Sequence, residues 1–268
     1  MLDLQKSGFM SDDQIKEIAP AVFTQKPSDE VSKHYTHIPT TKVINDMRTL
    51  GWDVVDVKEV KARKAKTRGV QKHMVVFRNP AVVINGEDGD TVFRQILLTN
   101  SHDGKNAFTF TAGLFRLICE NGLVISTTQF EDVKMRHMGY TFEDLQANIR
   151  EMVEKLPLTV ESMNRMKEIE MGEKAALDFA KRALETRFDE KQMNRIQVDL
   201  NELLKPVREE DFGKDVWSIF NVVQEKIIEG DFQYIAGSKV RKARRVKNFN
   251  QDQKINKELF ELALEYVA

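Results

Sequence analysis

The stretch NSHDGKNAFTFTAGLFRLICENGLVI, residues 100–125, decides the fold because its hydrophobic period changes twice. The β-rich run RQILLT at 94–99 precedes it, and Asp103-Gly104 is a turn signal. The run AFTFT at 107–111 then alternates as a second strand does. These residues predict an antiparallel hairpin.

A buried helix is expected directly after this hairpin. The apolar residues there fall at helical spacing, and they are Leu114, Phe115, Leu117 and Ile118. Asn121-Gly122 is typical of a helix end, where a residue with positive φ often caps the last turn. The apolar residues 123–125 predict a further strand.

The residues before this stretch predict a helix and the rest of the sheet. Val43, Ile44, Met47 and Leu50 form one helical stripe, which starts at residue 40 or 41 and is closed by Gly51. Val55 and Val57 alternate with charged residues and predict a long strand, which could extend to Val60. Residues 74–77 and 82–84 predict β structure broken at Pro80, and residues 85–89 predict a turn.

From residue 141 the pattern becomes helical and remains so. Thr141 and Asp144 resemble a capping box, and an apolar stripe runs from Leu145 to a break at Pro157. Further helices are expected at 160–184, 189–205, 213–229 and 253–267. The methionines at these spacings favour an adaptable core over a ligand set.

The predicted fold class is therefore α+β, with an antiparallel β-meander covered by helices on one face and a mostly α-helical C-terminal half. We expect three regions: an N-terminal arm (1–38), an α+β core (39–137) and a helical region with a basic C-terminal segment (138–268). Apolar content of 41% and charged content of 31% are typical of an ordinary soluble protein. Neither a membrane span nor a secretory signal is visible, so a cytoplasmic location is expected.

The formal net charge of -1 conceals strong segregation. Residues 58–72 carry a local charge of +6, residues 239–247 (KVRKARRVK) carry another +6, and the remainder therefore carries -13. Two basic segments on an acidic body favour a polyanionic partner.

Residue patterns give no positive support for an enzyme. Ser101, His102 and Asp103 are neighbours on one strand and turn, so their side chains cannot converge as a hydrolytic triad. His34 and His37 have HxxH spacing without a second ligand pair, so we expect no metal and no cofactor. The single cysteine, Cys119, is expected to be a buried, inert thiol. Glycine-rich phosphate loops and the HExxH motif are absent from the sequence.

The first basic segment is the sharper functional signal. If residues 58–68 form a strand, alternation places Lys58, Lys64, Lys66 and Arg68 on one face and Lys61 and Arg63 on the other. Such a hairpin could follow a phosphate backbone, with Lys72 in addition. Independently, Asn100, His102 and Lys105 at a strand-turn-strand rim could contact phosphates or sugars. Trp52 and Phe77 could stack on bases, whereas Phe108 and Phe110 are favoured as core. The alternative is a solvated edge strand that its lysines protect from aggregation.

The second basic segment contains the other expected DNA contacts, namely Lys239, Arg241, Lys242, Arg244 and Arg245. It lies between predicted helices in a region poor in apolar residues. Either a flexible arm that engages a polyanion or a solvated linker would have this composition.

Three sequence features resemble the phage/plasmid-like protein family, the domain of unknown function 932. They are the NSHDG turn, the run AGLFRLICENGL at 112–123, and the later Trp217-x-x-Phe220-Asn221-x-Val223 pattern. The resemblance extends from about Tyr35 to the C-terminus. The order of a helix ending in Gly-Trp, a basic meander and a crossing helix is also similar to that of phage single-strand annealing recombinases.

These resemblances, together with the charge segregation, imply a non-enzymatic protein that binds single-stranded DNA in replication or recombination. The likeness to annealing proteins further implies a homo-oligomer in the host cytoplasm, with phage replication or host proteins as further partners. The alternative is an interaction module whose basic segments meet an acidic host protein, such as a defence or transcription factor.

Overall fold

The computed structural model describes residues 8–62, 67–85, 91–106, 108–116, 121–124, 133–135 and 141–267. The strands are β1 (Asp53–Glu59), β2 (His73–Asn85), β3 (Thr91–Asn100), β4 (Phe108–Arg116), β5 (Asn121–Val124), β6 (Val133–Met135), β7 (Ile196–Val198), β8 (Gln233–Ala236) and β9 (Lys239–Lys242). The α-helices are α1 (Asp12–Ile18), α2 (Thr40–Thr49), α3 (Phe142–Glu168), α4 (Glu173–Arg187), α5 (Glu190–Met193), α6 (Leu200–Leu204), α7 (Val216–Glu229) and α8 (Phe249–Glu265).

The chain divides into two compact units. The first contains Met1–Ile118 and Thr128–Leu156, and the second contains Cys119–Thr127 and Pro157–Ala268. An antiparallel sheet dominates the N-terminal half and helices dominate the C-terminal half. The α+β fold class is therefore confirmed.

The sheet of the first unit is the expected meander. β1, β2, β3 and β4 pair in chain order, each antiparallel to the next, and β6 pairs with β4. Its fully buried side chains include Val75, Phe77, Ile96, Leu98 and Phe110. Helix α2 begins and ends as expected, and Gly51 follows it with a φ of +84°.

The N-terminal residues pack into this unit. Helix α1 and the short 3₁₀ helix Pro20–Phe23 lie near β1 and α2. Ile15, Ala19, Ala21 and Val22 are fully buried. The residues that we interpreted as an arm thus contribute to the core at one edge of the sheet.

The expected helix at 114–118 is wrong. β4 continues to Arg116 and pairs with β3 along its length, from Thr99 opposite Thr109 to Val92 opposite Arg116. Asn121 and Gly122 begin β5 rather than cap a helix, while Leu117 and Ile118 lie outside the described residues. A short apolar run is compatible with both the helical and the strand period, and here pairing with β3 made it a strand.

The strand predicted from alternating valines is also corrected. A β-bulge between Val54 and Asp56 shifts the register, so that Val54 and Val57 are buried instead of Val55. β1 ends at Glu59, and a turn occupies 67–71. The alternation that we assigned to residues 58–68 therefore does not hold, because the described part of 60–72 is the connection of the β1–β2 hairpin.

The prediction at Pro157 needs correction, and the one at Pro80 holds for the strand pairing but not for the strand itself. Strand β2 passes through Pro80 as one element, although its pairing is irregular between Arg78 and Val83. Helix α3 continues through Pro157, and Leu145, Ile149 and Met166 are buried along it. The Thr141 hydroxyl accepts from the Asp144 amide at 3.1 Å, as the capping box predicts.

The second unit is a helical bundle with a small sheet. Helices α4, α7 and α8 pack together around Phe179, Phe220 and Phe260, which are almost fully buried. Strand β7 interrupts the helix expected at 189–205, and β7, β8 and β9 form an antiparallel sheet in that order. The second basic segment is consequently a strand, Lys239–Lys242, and the residues that follow it, neither arm nor linker.

No helix within the described residues combines the length and the apolar character needed to cross a membrane.

Candidate nucleic-acid interface

Two loops meet at one end of the first sheet. The antiparallel order places the β1–β2 connection and the β3–β4 turn at the same end. The His102 amide donates to the Val70 carbonyl at 2.9 Å, and the Val60 amide donates to the Lys72 carbonyl at 2.9 Å. Residues that are about 30 positions apart in the sequence are thereby held side by side.

The N-terminal segment braces both loops. The Thr24 hydroxyl donates to the Gly69 carbonyl, and the Ser28 amide donates to the His102 carbonyl at 2.8 Å. The Tyr35 hydroxyl donates to the Ser101 carbonyl at 3.1 Å. Burial, assisted by the nearby Asp103 carboxylate, raises the pKa of Tyr35 to about 12, so this hydroxyl keeps its proton.

The NSHDG turn is a structural element. Asn100, Ser101 and His102 are all fully buried. The Asn100 amide nitrogen donates to the Ile38 carbonyl at 3.3 Å and to the Thr40 hydroxyl at 3.0 Å. The expected phosphate contacts of Asn100 and His102 are therefore wrong, because neither side chain reaches the surface.

Three histidines cluster beneath the loops. The ring centroid of His102 lies 4.6 Å from that of His37 and 5.1 Å from that of His73. The Nε2 atom of His73 is 2.8 Å from the Thr40 hydroxyl, and its Nδ1 atom is 3.0 Å from the Gln71 carbonyl. Sequence reasoning missed this cluster, because only folding brings residues 37, 73 and 102 together.

Burial governs the chemistry of this cluster. Desolvation lowers the pKa of His73 to about 4, since the ring would lose hydration as a cation, although the Gln71 carbonyl favours the charged form. Both ring nitrogens of His73 already have oxygen neighbours. Among the residues that the structure describes, no group of three His, Cys, Asp or Glu side chains is arranged to hold a metal ion.

Five described cations surround the loops, and we call them the basic rim: Lys58, Lys61, Arg68, Lys72 and Lys105. Lys61, Arg68 and Lys105 are exposed, whereas Lys58 and Lys72 are partly buried. Burial lowers the pKa of Lys72 from its ordinary value. Arg63, Lys64 and Lys66 lie outside the described residues. The hydrogen bond between His102 and Val70 thus brings the turn that carries Lys105 beside the first basic segment, an arrangement that the sequence did not predict.

Glu59, the single acidic residue of the first basic segment, has a structural role. Glu59 accepts from the Ala21 amide at 2.7 Å and from the Gln71 side chain. Burial raises the pKa of Glu59, although both hydrogen bonds favour its ionised form. Its carboxylate thus connects the N-terminal segment to the loop.

The expected stacking rings lie in the core. Trp52 is 2% exposed and Phe77 is fully buried, so neither presents a face to a base. Phe108 and Phe110 pack edge to face with centroids 5.3 Å apart, and both are fully buried as favoured. An interface at the basic rim would therefore contact phosphates rather than bases.

The second basic segment belongs to the other unit. Lys239, Arg241 and Arg244 are exposed, Lys242 lies 3.1 Å from Asp231, and Arg245 lies 3.2 Å from Glu229. Ala243 and Val246, interleaved with these cations, are buried. The segment is therefore anchored to its unit while most of its charges face solvent.

Comparison with known proteins gives a consistent family result. A family model described as "Domain of unknown function (DUF932)" matches residues 27–260. The UPF0380 protein YafZ of Escherichia coli (strain K12) is 26% identical over 252 residues, which cover 94% of this chain and 89% of that protein. The UPF0380 protein YfjQ of the same strain is 25% identical over 253 residues, with the same coverage. No solved structure matches the chain.

Proposed function

The chain belongs to the family described as domain of unknown function DUF932, a description that states no activity, and we propose that it binds single-stranded DNA through phosphate contacts of the basic rim. In this proposal the protein is not an enzyme. It holds or anneals strands during replication or recombination of phage or plasmid DNA in the host cytoplasm, and it acts as a homo-oligomer.

One observation carries the proposal. The hydrogen bond from the His102 amide to the Val70 carbonyl holds the turn of Lys105 against the loop of Lys61 and Arg68. Cations from two separate parts of the sequence therefore lie at one end of one sheet. A nucleic-acid strand carries regularly spaced negative phosphates, and these can pair with several cations that lie together at one end of a sheet.

The burial of the four aromatic side chains proposed for stacking, Trp52, Phe77, Phe108 and Phe110, predicts the mode of binding. Phosphate contacts position a strand without reading its sequence, and the four aromatic side chains considered above are buried. We therefore expect similar affinity for oligonucleotides of different base composition.

The triple variant Lys61→Ala, Arg68→Ala, Lys105→Ala tests the proposal. Each phosphate contact that is lost should reduce the slope of log affinity against log salt by about 0.7 for a single strand, so the triple variant should flatten it by about 2. Fluorescence anisotropy of labelled oligothymidylate, titrated at several salt concentrations, measures this slope.

A matched control removes three exposed lysines of the second unit: Lys174→Ala, Lys181→Ala and Lys191→Ala. It changes the net charge equally and should leave the slope nearly unaltered. If the rim variant folds and binds with unchanged affinity and slope, the rim is only a solvated loop surface. The alternative function, contact with an acidic host protein, would then be preferred.

A further inference from the structure

Strand β9 offers main-chain groups at an edge of the small sheet. In the described part of the chain the strand order is β7-β8-β9, which leaves one side of β9 open. A two-residue turn containing Gly237, with a φ of +64°, joins Ala236 to Lys239. The residue pair that closes such a turn, Ala236 and Lys239, is hydrogen-bonded. Along the hairpin, hydrogen-bonded pairs alternate with pairs whose N–H and C=O groups point outward. The N–H and C=O groups of Val240 and Lys242 therefore point away from β8.

The face beside this edge carries exposed aliphatic side chains. Ile235 and Val240 are directly opposite each other in the β8–β9 pairing, and they are 43% and 65% exposed. The other face of β8 packs inward, where the Tyr234 ring lies 5.8 Å from the Phe188 ring. An added strand would thus find an apolar contact on one face.

The charge of β9 selects the kind of strand that it can accept. Lys239, Arg241 and Lys242 are three of its four residues, and residues 239–247 contain six basic residues and no acid. Like charges would repel a second copy of this strand, whereas an acidic strand would be attracted. The contact of Lys242 with Asp231 is between exposed side chains, so it is weak enough to be exchanged.

We propose that β9 binds an extended acidic segment of a partner protein, which adds to the small sheet as a fourth strand. Alternate side chains of that segment would contact Val240, which itself packs beside Ile235 of β8, and its carboxylates would face Lys239 and Arg241 on the other side of the strand. A protein segment suits this edge better than DNA does, because exposed Ile235 and Val240 lie beside the cations and the edge offers main-chain pairing. The inference goes beyond the proposed DNA binding, which rests on the first unit.

A labelled peptide of alternating glutamate and valine is the probe, and an alternating lysine and valine peptide is its control. The full-length protein should bind the acidic peptide at least tenfold more tightly than the basic one. Val240→Pro should weaken binding of the acidic peptide at least tenfold, because proline removes the outward N–H and leaves the hydrogen bonds to β8 in place. Val240→Ile keeps that N–H and should bind within about twofold of the wild-type protein.

A charge exchange keeps the proposal testable if the proline variant fails to fold. The double variant Lys239→Glu, Arg241→Glu should lose the acidic peptide and bind the basic one. Equal binding of both peptides by the wild-type protein, binding of neither, or a folded Val240→Pro variant with full affinity would each overturn the proposal. So would competition for this site by oligothymidylate together with loss of DNA binding in the double variant, since β9 would then be a nucleic-acid site.

Discussion

At the residue scale, buried polar side chains hold the loops that carry the basic rim. Asn100 connects β3 to Ile38 and Thr40, and His73 connects β2 to the same threonine. These groups are kept from water, so each depends on its partners for its hydrogen bonds. Protonation of the one titratable group among them, the His73 ring, should therefore change the free energy of unfolding.

We predict that His73 makes folding sensitive to mild acid. Its folded pKa of about 4 lies below the ordinary value of 6.5, so the unfolded chain binds a proton in this interval that the folded chain rejects. The free energy of unfolding should fall as the pH drops from 6.5 to 4, by about 3 kcal/mol from this residue, and should show no further His73 contribution below that.

Urea unfolding of the wild-type protein and of His73→Gln between pH 4 and 7 measures this contribution. The two stability curves should converge as the pH falls, because glutamine does not titrate. The exposed His34→Gln variant serves as the control and should follow the wild-type curve. Parallel curves for wild type and His73→Gln would show that the buried ring does not resist protonation.

At the scale of elements, backbone hydrogen bonds hold the residues after β9 against the end of α7 and the residues that follow it. The Ala243 amide donates to the Phe232 carbonyl at 2.9 Å, and the Val246 amide donates to the Ile228 carbonyl at 2.8 Å. Arg187 donates to the carbonyls of Ile227 and Arg244. This close approach of two backbone segments depends on a glycine at the end of α7.

Gly230→Ala should destabilise the second unit more than Gly237→Ala does. Both glycines have positive φ, +74° and +64°, so each alanine costs about 1 kcal/mol in backbone strain. A Cβ atom on Gly230 would also lie 2.5 Å from the carbonyl carbon of Arg244, whereas one on Gly237 meets open space. We expect the free energy of unfolding of Gly230→Ala to fall by about 2 kcal/mol or more beyond that of Gly237→Ala, and urea unfolding measures both. Equal losses of stability at the two sites would mean that the backbone at Arg244 moves away from the new Cβ atom without a loss of stability.

At the scale of the whole molecule, charge segregation matters more than net charge. A chain with a formal charge of -1 can bind a polyanion only where its cations are concentrated, and the first unit concentrates them around two loops. Binding of this kind is electrostatic, and it requires neither a bound metal nor a nucleotide.

We predict that EDTA and ATP-magnesium leave DNA binding unchanged at constant ionic strength. Anisotropy titrations with oligothymidylate, with and without each additive, measure the effect, and affinities should agree within about twofold. Loss of binding in EDTA that magnesium restores would contradict the proposed mode, because the metal would then form part of the interface.

The sequence alone determined the elements whose signals are local. The turn at Asp103-Gly104, the helix closed by Gly51 and the side-chain cap at Thr141 depend on a few neighbouring residues, and the structure confirms each of them. The α+β class and the meander order followed from these local signals and from hydrophobic period. The segregation of charge was equally visible, since it needs only the order of residues.

Only the tertiary structure decided features that depend on distant partners. Pairing with β3 made residues 114–116 a strand, and the bulge at Val54 buried Val54 in place of Val55. The histidine cluster and the position of Lys105 beside the 60–72 loop arise because the sheet brings separate loops to one end. The physical reason is that local preference differs by a fraction of a kcal/mol per residue, whereas burial and strand pairing across the sheet contribute more.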